Sequence, residues 1–378
     1  MAHDLIVIGG GIHGVMTAWI AAERGYDVCL LEKDQLGGGA SGGWFGILHG
    51  GLRYLQGMDL RRYRQSVIER RWFMRTFPEH ITLQPFLMPL YGQGLKRPEI
   101  FRAAFAADAA LSVDRGTGVA QELQLPRGRV ISNAVVLEHA SCVLVEGLEG
   151  GALWSEAVVP DMNALFAAIA ARTSAAGAIL RDGTAVAAPL VQDGRIAGVT
   201  LEDGEEIRAP KVINAGGGAA DGLAMRLDPD YRAEGGSALA FNLMLDRPPP
   251  SECGLALYGG AGTEALFLYP SGERTFAGTW YLPWTDGSGT EVPEDAVRAM
   301  LDAVDERTRG LGLRIEQVQP VRGGLLPVTR AGTTQLCGAD RFVDHAAHGG
   351  PSGLYTVRGV KFTTAPAAAR KALALAGM

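Results

Sequence analysis

The first thirty-two residues contain the pattern that most restricts how this chain can fold. Four apolar residues, Leu5–Ile8, are followed by the glycine turn GGGIHG, a helix-like segment at 15–24 and a second strand-like segment, 26–31. A continuous apolar run is typical of a parallel strand buried on both faces. The order of strand, tight turn, helix and strand therefore predicts a nucleotide-binding βαβ unit in an α/β fold.

Each part of this unit has a physical role toward a dinucleotide. Gly9 and Gly11 permit the sharp turn and the approach of a pyrophosphate, and Gly14 lets helix and strand pack closely. The helix N-terminus directs its positive dipole at the phosphates. Glu32 follows the second strand, where a carboxylate accepts a hydrogen bond from a ribose hydroxyl. We predict a bound dinucleotide, either FAD or NAD; a glycine turn without a ligand is the alternative.

Composition limits the class of protein. The chain has 378 residues, of which 47% are hydrophobic and 20% charged, so we expect two globular domains that share one active site. A net charge of −6 and a pI near 5.7 argue against nucleic acid as a partner. Four cysteines without CxxC spacing are expected to be reduced, and no metal site is predicted. The N-terminus does not resemble a signal peptide, so we expect a cytoplasmic location.

A second glycine-rich stretch, GGGASGGWFGILHGGLRYL, covers residues 37–55. It is too long for a simple connection in a βαβ unit, so we expect a loop built around a ligand. Its last eight residues, LHGGLRYL, closely resemble the signature of flavin-dependent glycerol-3-phosphate dehydrogenases, within the D-amino-acid-oxidase-like (DAO) group of FAD oxidoreductases. The resemblance implies that the cofactor is FAD.

The resemblance also implies roles for residues of this loop. In the family, the loop lies against the isoalloxazine ring of the flavin, and an Arg-Tyr pair, here Arg53 and Tyr54, contributes to the substrate pocket. A guanidinium group suits a phosphate or carboxylate because it forms two parallel hydrogen bonds; a surface ion pair is the other interpretation of Arg53. His49 is a candidate acceptor of the substrate's hydroxyl proton, or a structural residue of the loop.

Residues 59–75 predict a helix with one apolar and one basic face. We expect the basic face to be solvated; peripheral contact with anionic lipid is the alternative. Pro78, Pro85 and Pro89 are expected to break up the segment that follows. In the next block, Asp161 should cap a helix at 162–175.

Four strands, near 178–180, 186–191, 195–201 and 206–208, are predicted to follow that helix. The apolar strand 211–215 then ends in three glycines. This turn resembles the VVNATG turn of the family, which implies that Ala215 and Gly216 approach the cofactor and that the backbone of Val186 lies by the adenine.

From residue 228 to 328 the pattern is that of short alternating strands, so we expect an antiparallel substrate-domain sheet interrupted by one amphipathic helix. Arg322 matches the arginine of the family's GVRPL segment, a phosphate ligand there; a buried ion pair is the alternative. With Arg53 it would clamp an anion.

The tail, LYTVRGVKFTTAPAAARKALAL, predicts a strand, a turn and a helix with Thr364 near its cap. It resembles the family's GGKxTTYRK ending, in which the helix N-terminus faces the flavin and stabilises negative charge on the reduced ring. Lys361 would lie beside the ring and the substrate.

These motifs together predict a discontinuous Rossmann-like FAD-binding domain, formed by residues 1–77, 151–226 and 329–378, and a substrate domain with an antiparallel β-sheet, formed by 78–150 and 227–328. The predicted catalytic residues are His49, Arg53, Tyr54, Arg322 and Lys361. The predicted cofactor-binding residues are Gly9, Gly11, Ile12, His13, Gly14, Glu32, Lys33, Ser41, Gly42, His49, Gly50, Gly51, Val186, Ala215, Gly216, Gly359, Val360, Lys361, Phe362 and Thr363.

Two departures from the family are visible. The family's GSH tripeptide offers a histidine to the substrate, but this sequence has GSA at 236–238, so Ala238 replaces the candidate base. The C-terminal helical domain of many family members is not expected. We predict an FAD-dependent oxidoreductase that oxidises the hydroxyl-bearing carbon of a small anionic, glycerol-3-phosphate-like substrate by hydride transfer to flavin N5. The electron acceptor, whether quinone, oxygen or a protein, stays open. The alternatives are an amine or amino-acid oxidase, and a flavin-binding module that serves a partner.

Overall fold

The computed structural model describes residues 2–259, 265–285 and 289–378. Within these ranges the helices are α1 (Ile12–Glu23), α2 (Leu52–Gln56), α3 (Leu60–Thr76), α4 (Pro98–Leu111), α5 (Asn133–His139), α6 (Met162–Ala175), α7 (Ala220–Leu227), α8 (Glu294–Glu306) and α9 (Ala365–Leu375). The strands are β1 (Leu5–Ile8), β2 (Val28–Leu31), β3 (Ile47–Leu48), β4 (Thr82–Leu90), β5 (Arg129–Ile131), β6 (Gly150–Val158), β7 (Ile179–Arg181), β8 (Val186–Gln192), β9 (Arg195–Leu201), β10 (Glu206–Arg208), β11 (Val212–Asn214), β12 (Gly236–Leu245), β13 (Gly254–Leu257), β14 (Leu266–Ser271), β15 (Arg274–Pro283), β16 (Gly323–Val328), β17 (Arg341–Asp344) and β18 (Leu354–Arg358).

The first sheet has six strands in the order β17-β18-β11-β1-β2-β7. All neighbours pair in parallel except β17, which is antiparallel at the edge. All four residues of β1 are buried, as its continuous apolar sequence predicts for a central parallel strand. The predicted βαβ unit is confirmed by β1, α1 and β2. Since β11 lies between β1 and β18, the two ends of the chain meet in one sheet.

Helices α1, α6 and α9 pack together beside this sheet. Small residues make this packing close: α9 buries three alanines, Ala365, Ala369 and Ala372, in the same apolar cluster as Val15 and Ala18 of α1. Asp161 caps α6 by accepting a hydrogen bond from the N–H of Ala164 at 2.9 Å, as predicted. A separate three-stranded sheet, β10-β9-β8, is antiparallel throughout.

The large second sheet has the order β16-β12-β15-β14-β13-β4-β6-β3, with β5 beside β6. It is antiparallel except where β13 pairs with β4, and α8 buries its apolar face in the cluster beside it. The predicted antiparallel sheet with one amphipathic helix is thus confirmed. Strand β6 pairs within this sheet although its sequence range falls almost wholly in 151–226, and the domain boundaries stay a prediction.

The expectation that prolines break up the segment after α3 is wrong for two of them. Pro85 and Pro89 lie within β4, which pairs with β6 along its whole length. The two prolines are four residues apart, so both missing N–H groups face the same edge of the strand and the other edge keeps its donors. Across the described part of the chain, no helix is long and apolar enough to cross a membrane.

Candidate active site

The first glycine turn forms a bare backbone wall at the end of β1. Gly9 has a φ of 109°, and a Cβ atom there would lie 2.5 Å from the carbonyl oxygen of Ala215. A Cβ atom on Gly14 would lie only 1.8 Å from the carbonyl oxygen of Gly9. Only glycine fits these positions. Helix α1 begins after Gly11, which has no side chain to cap it, so its N-terminal dipole faces the turn.

Glu32 lies against this turn from the end of β2. Its Oε2 accepts a hydrogen bond from the N–H of Gly10 at 2.6 Å, and its Oε1 accepts one from Asp34 at 2.9 Å. The carboxylate is therefore fixed beside the glycines; its predicted hydrogen bond to a ribose hydroxyl stays a prediction. Lys33 is exposed and pairs with Asp34, and its predicted contact with the cofactor stays a prediction.

The loop 37–46 is fastened to several elements at once. Ser41 accepts a hydrogen bond from the N–H of Ile12 at 2.9 Å, which joins the loop to the start of α1. Asn242 of β12 donates to the carbonyl oxygen of Gly43, and Tyr269 of β14 donates to that of Phe45, each at 2.7 Å. The loop thus links the two sheets.

Trp44 connects the same loop to the tail of the chain. Its ring stacks on Phe362 with the ring centroids 4.0 Å apart and the planes 2° from parallel. The Nε1 of Trp44 is buried, and no acceptor for it exists among the described residues. Trp44 is not among the residues predicted from the sequence, although an aromatic residue among glycines was a usable signal.

His13 and the tail turn meet beside the start of α1. A Cβ atom on Gly359 would lie 2.1 Å from Nε2 of His13, so the ring lies directly against bare backbone. That Nε2 is buried and lacks a hydrogen-bond partner in the part of the chain that the structure describes. Burial lowers the pKa of His13. Val360 is held by Asp340, which accepts its N–H at 2.8 Å.

These features fit a bound dinucleotide. A glycine cradle, an uncapped helix N-terminus and two buried ring nitrogens that lack partners among the described residues all border the ends of β1 and of the tail strand β18. Of the predicted cofactor residues, Gly9, Gly14, Glu32, Ser41 and Gly216 converge here. Val186 is buried in the apolar cluster between the small sheet and the first sheet; its proximity to adenine stays a prediction.

A buried ion pair supports the other side of the loop. Glu156 on β6 accepts hydrogen bonds from Arg70 of α3 at 2.9 Å and from the N–H of Gly50 at 3.2 Å. Its other oxygen lies 3.8 Å from Nδ1 of His49. Burial alone would raise the pKa of Glu156, but His49 and the charge of Arg70 hold that pKa below its ordinary value.

Neither Glu156 nor Arg70 is among the site residues predicted from the sequence. The signal for Glu156 was a lone carboxylate in the apolar strand GALWSEAVV. Arg70 was assigned to a solvated basic face, and this is wrong: Arg70 is 5% exposed. The fold turns this side chain inward because β6 offers it a buried carboxylate.

Lys361 of the tail turn meets Arg53 and Tyr54 of α2 in a cationic cluster. Nζ of Lys361 lies 4.4 Å from the centre of the Tyr54 ring, and the guanidinium carbon of Arg53 lies 5.7 Å from it. Burial, with the charge of Arg53, lowers the pKa of Lys361 to about 8. Two cations held this close favour an anion between them.

Arg322 and Ala238 complete the account of the predicted site. Arg322 is exposed just before β16, and its carbonyl oxygen lies 3.7 Å from where a Cβ atom of Gly43 would be, so it borders the loop 37–46. Ala238 is fully buried within β12 and supplies no proton acceptor. Four of the five predicted catalytic residues, His49, Arg53, Tyr54 and Lys361, therefore lie around α2 and the tail turn.

The fold and the site define a dinucleotide-binding oxidoreductase. The family model described as "DAO: FAD dependent oxidoreductase" matches residues 4–375, and the chain belongs to this family. Its cofactor is accordingly FAD, as predicted.

Relatives of known name agree with this assignment. The chain is 32% identical over 374 residues to glycerol-3-phosphate dehydrogenase 1 of Mycobacterium tuberculosis (strain ATCC 25618 / H37Rv), covering 96% of this chain and 70% of the relative. Over 185 residues it is 31% identical to glycerol-3-phosphate dehydrogenase of Synechocystis sp. (strain ATCC 27184 / PCC 6803 / Kazusa), covering 49% of this chain and 32% of the relative.

Solved structures share the fold. Glycerol-3-phosphate dehydrogenase from Bacillus halodurans, complexed with FAD, superposes with a TM-score of 0.72 at 19% identity over 100% of this chain. This chain spans 64% of that protein, less than two thirds of its length. Glycine oxidase from Geobacillus kaustophilus superposes with a TM-score of 0.70 at 19% identity, covering 100% of this chain and 95% of that one.

Proposed function

We propose that this enzyme oxidises the hydroxyl-bearing carbon of a small phosphorylated substrate of the glycerol-3-phosphate type. The observation that carries the proposal is the cationic cluster of Arg53 and Lys361 around Tyr54. Arg53 follows His49 by four residues, and His49 faces the buried Glu156. The similarity to glycerol-3-phosphate dehydrogenases supports the same substrate class.

Arg53 and Lys361 bind the phosphate in this proposal. The desolvated ammonium of Lys361 carries its charge beside another cation at a cost, which is why its pKa falls to about 8. A bound dianion would remove that repulsion and favour the charged lysine. Both cations lie near the ring of Tyr54, which attracts each of them through its electron-rich face. Arg322, which precedes β16 and borders the loop 37–46, would be the second arm of the clamp.

FAD, when bound, supplies the hydride acceptor. The chain must then remove the hydroxyl proton, and Ala238 cannot do so. We assign this step to His49: Nδ1 faces Glu156 at 3.8 Å, which leaves Nε2 to receive the proton. The negative charge of Glu156 stabilises the imidazolium that results, and Arg70 holds that carboxylate in place.

Anaerobic flavin reduction tests the proposal. Adding sn-glycerol 3-phosphate to the FAD-loaded protein should bleach the flavin absorbance, and glycerol, which lacks the phosphate, should bleach it far more slowly. Arg53→Ala should slow bleaching by the phosphorylated donor, whereas Arg102→Ala, an exposed arginine on α4, should not. If sn-glycerol 3-phosphate leaves the absorbance unchanged, the substrate is wrong.

An amine or amino-acid oxidase is the second candidate. The buried alanine at position 238 favours it, because amine oxidation does not require the base that the family's histidine provides for an alcohol. A panel of amino acids and small amines distinguishes the two. Bleaching by an amine, with an imine-derived product, would replace the first proposal.

A further inference from the structure

A chain of buried polar side chains lies behind the second glycine turn. His345, fully buried after β17, has Nδ1 2.7 Å from Oδ2 of Asp228 and Nε2 2.9 Å from Oγ1 of Thr356 on β18. Thr356 is also fully buried, and its Oγ1 lies 3.3 Å from Nδ2 of Asn214 on β11. None of these four residues was selected from the sequence as a site residue.

The hydrogen bonds in this chain have one consistent direction. The carboxylate of Asp228 accepts, so Nδ1 of His345 carries the hydrogen that it donates, and in this tautomer Nε2 is the acceptor. Thr356 donates its hydroxyl hydrogen to Nε2 and accepts from the amide of Asn214. Because every member is buried and satisfied, loss of one hydroxyl leaves its neighbours without partners.

Asn214 connects these hydrogen bonds to the glycine turn that follows β11. Its Nδ2 also donates to the carbonyl oxygen of Ala220 at 2.7 Å, which directs Oδ1 toward the N–H of Gly216 at 3.1 Å. A Cβ atom on Gly9 would lie 2.9 Å from Cα of Gly216, so this turn touches the first glycine turn. The series of hydrogen bonds from Asp228 to Asn214 therefore ends at the glycine turns that border the FAD site.

The same series of hydrogen bonds holds both ends of α7, the helix that follows the turn. Asp228 is the residue after the last turn of α7, and Ala220 is the first residue of the helix. A second bridge, from the buried Arg358 of β18 to the half-buried Asp221 at 2.6 Å, fixes the helix against the first sheet. With both ends held, the turn before α7 cannot shift without breaking these bonds.

We propose that His345 and Thr356 are positioning residues for FAD. Together with Asp228 and Asn214 they hold Ala215 and Gly216 at the distance from Gly9 that the dinucleotide requires. FAD is the cofactor of the family, and the inference concerns how tightly this protein retains FAD. The inference therefore holds whichever substrate is oxidised. If sn-glycerol 3-phosphate fails to reduce the flavin, the proposed substrate is wrong but the inference about FAD retention is unaffected.

Three threonine variants test this inference. Thr356→Val keeps the shape of the side chain and removes the hydroxyl, whereas Thr356→Ser keeps the hydroxyl. Thr173→Val is the matched control, because Thr173 is equally buried but its hydroxyl bonds only to Ile169 within α6. FAD-loaded protein is diluted, and the fluorescence of released flavin gives the FAD dissociation constant of each variant.

Thr356→Val should raise the FAD dissociation constant about tenfold, and Thr356→Ser should restore it to within about threefold of the wild type. Thr173→Val should leave it unchanged even if the protein melts at a lower temperature. Amide exchange at residues 216–220 should rise in Thr356→Val alone. Equal dissociation constants for Thr356→Val and Thr173→Val would overturn the proposal. If Thr356→Val does not fold, Thr356→Cys takes its place, and FAD retention equal to that of the wild type is then the overturning result.

Discussion

Arg70 Nη1 lies 2.9 Å from Glu156 Oε2, and this ion pair between α3 and β6 is buried directly behind the loop that carries His49. A Cβ atom on Gly50 would lie 2.1 Å from the same guanidinium group, so the loop backbone rests on it. The pair therefore connects the stability of the fold to the geometry of the site.

Glu156→Gln should destabilise the protein by about 3 kcal/mol, because it leaves the charge of Arg70 buried without a counterion. Urea denaturation measures this change. The control is Glu294→Gln, which removes an exposed ion pair with Arg298 and should cost less than about 0.5 kcal/mol. Similar losses for both variants would contradict the role assigned to the buried pair.

Anion binding should weaken as the pH rises through about 8. Lys361 has a pKa lowered to about 8, so it is charged below that pH and neutral above it. Sulfate is a suitable probe because its own charge does not change in this range, and perturbation of the flavin absorbance gives its dissociation constant. Lys361→Met should bind sulfate about tenfold more weakly at pH 7 and with no pH dependence near 8. A wild-type curve that is flat between pH 7 and 9.5 would count against Lys361 as an anion ligand.

The stability of the folded protein should change with pH because of Glu69. This carboxyl on α3 is buried against α9, and burial raises its pKa to about 7 despite its pairing with Arg370. Because the pKa is higher in the folded protein than in the unfolded chain, the protonated carboxyl stabilises the fold. This stabilisation is fully present below a pH of about 4.5 and is lost as the pH rises through about 7.

Glu69→Gln imitates the protonated form, so it should gain up to about 3 kcal/mol relative to the wild type between pH 5 and pH 8.5. Melting temperatures at both pH values give the comparison. The exposed Glu99 serves as the control, and the difference between Glu99→Gln and the wild type should not change with pH. A pH-independent difference for Glu69→Gln would contradict the raised pKa.

Gly14→Ala should abolish stoichiometric FAD binding, because the added methyl group would lie 1.8 Å from the carbonyl oxygen of Gly9 and must displace the turn. The flavin absorbance of purified protein measures this loss. Gly39→Ala is the matched control: Gly39 belongs to the second glycine-rich stretch, yet a Cβ atom there meets nothing within 4 Å. Normal FAD content in Gly14→Ala would show that the turn does not need its close packing.

Much of the fold and of the cofactor site could be predicted from local sequence. The βαβ unit, the cap of α6, the antiparallel strands and the tail helix follow from apolar periodicity, glycine spacing and capping residues that lie within a few positions of one another. The same is true of Glu32 and of the turn glycines, since the strand, turn and helix that bring them together are continuous in sequence.

The substrate side of the site was harder. LHGGLRYL indicated His49, Arg53 and Tyr54, but it could not show that Glu156 lies behind His49, because 107 positions separate the two residues and β3 and β6 bring them together. Pro85 and Pro89 were misjudged for the same reason: whether a proline breaks a strand depends on which edge its neighbours occupy.

By itself, then, the sequence determined the nucleotide-binding unit and the chemistry available to the site, because both depend on residues close together in the chain. Only the tertiary structure decided which charges are buried and which polar groups form one chain, as with Asp228, His345 and Thr356. Burial sets the strength of an ion pair and the direction of a pKa shift, and burial is a property of the neighbours that the fold supplies.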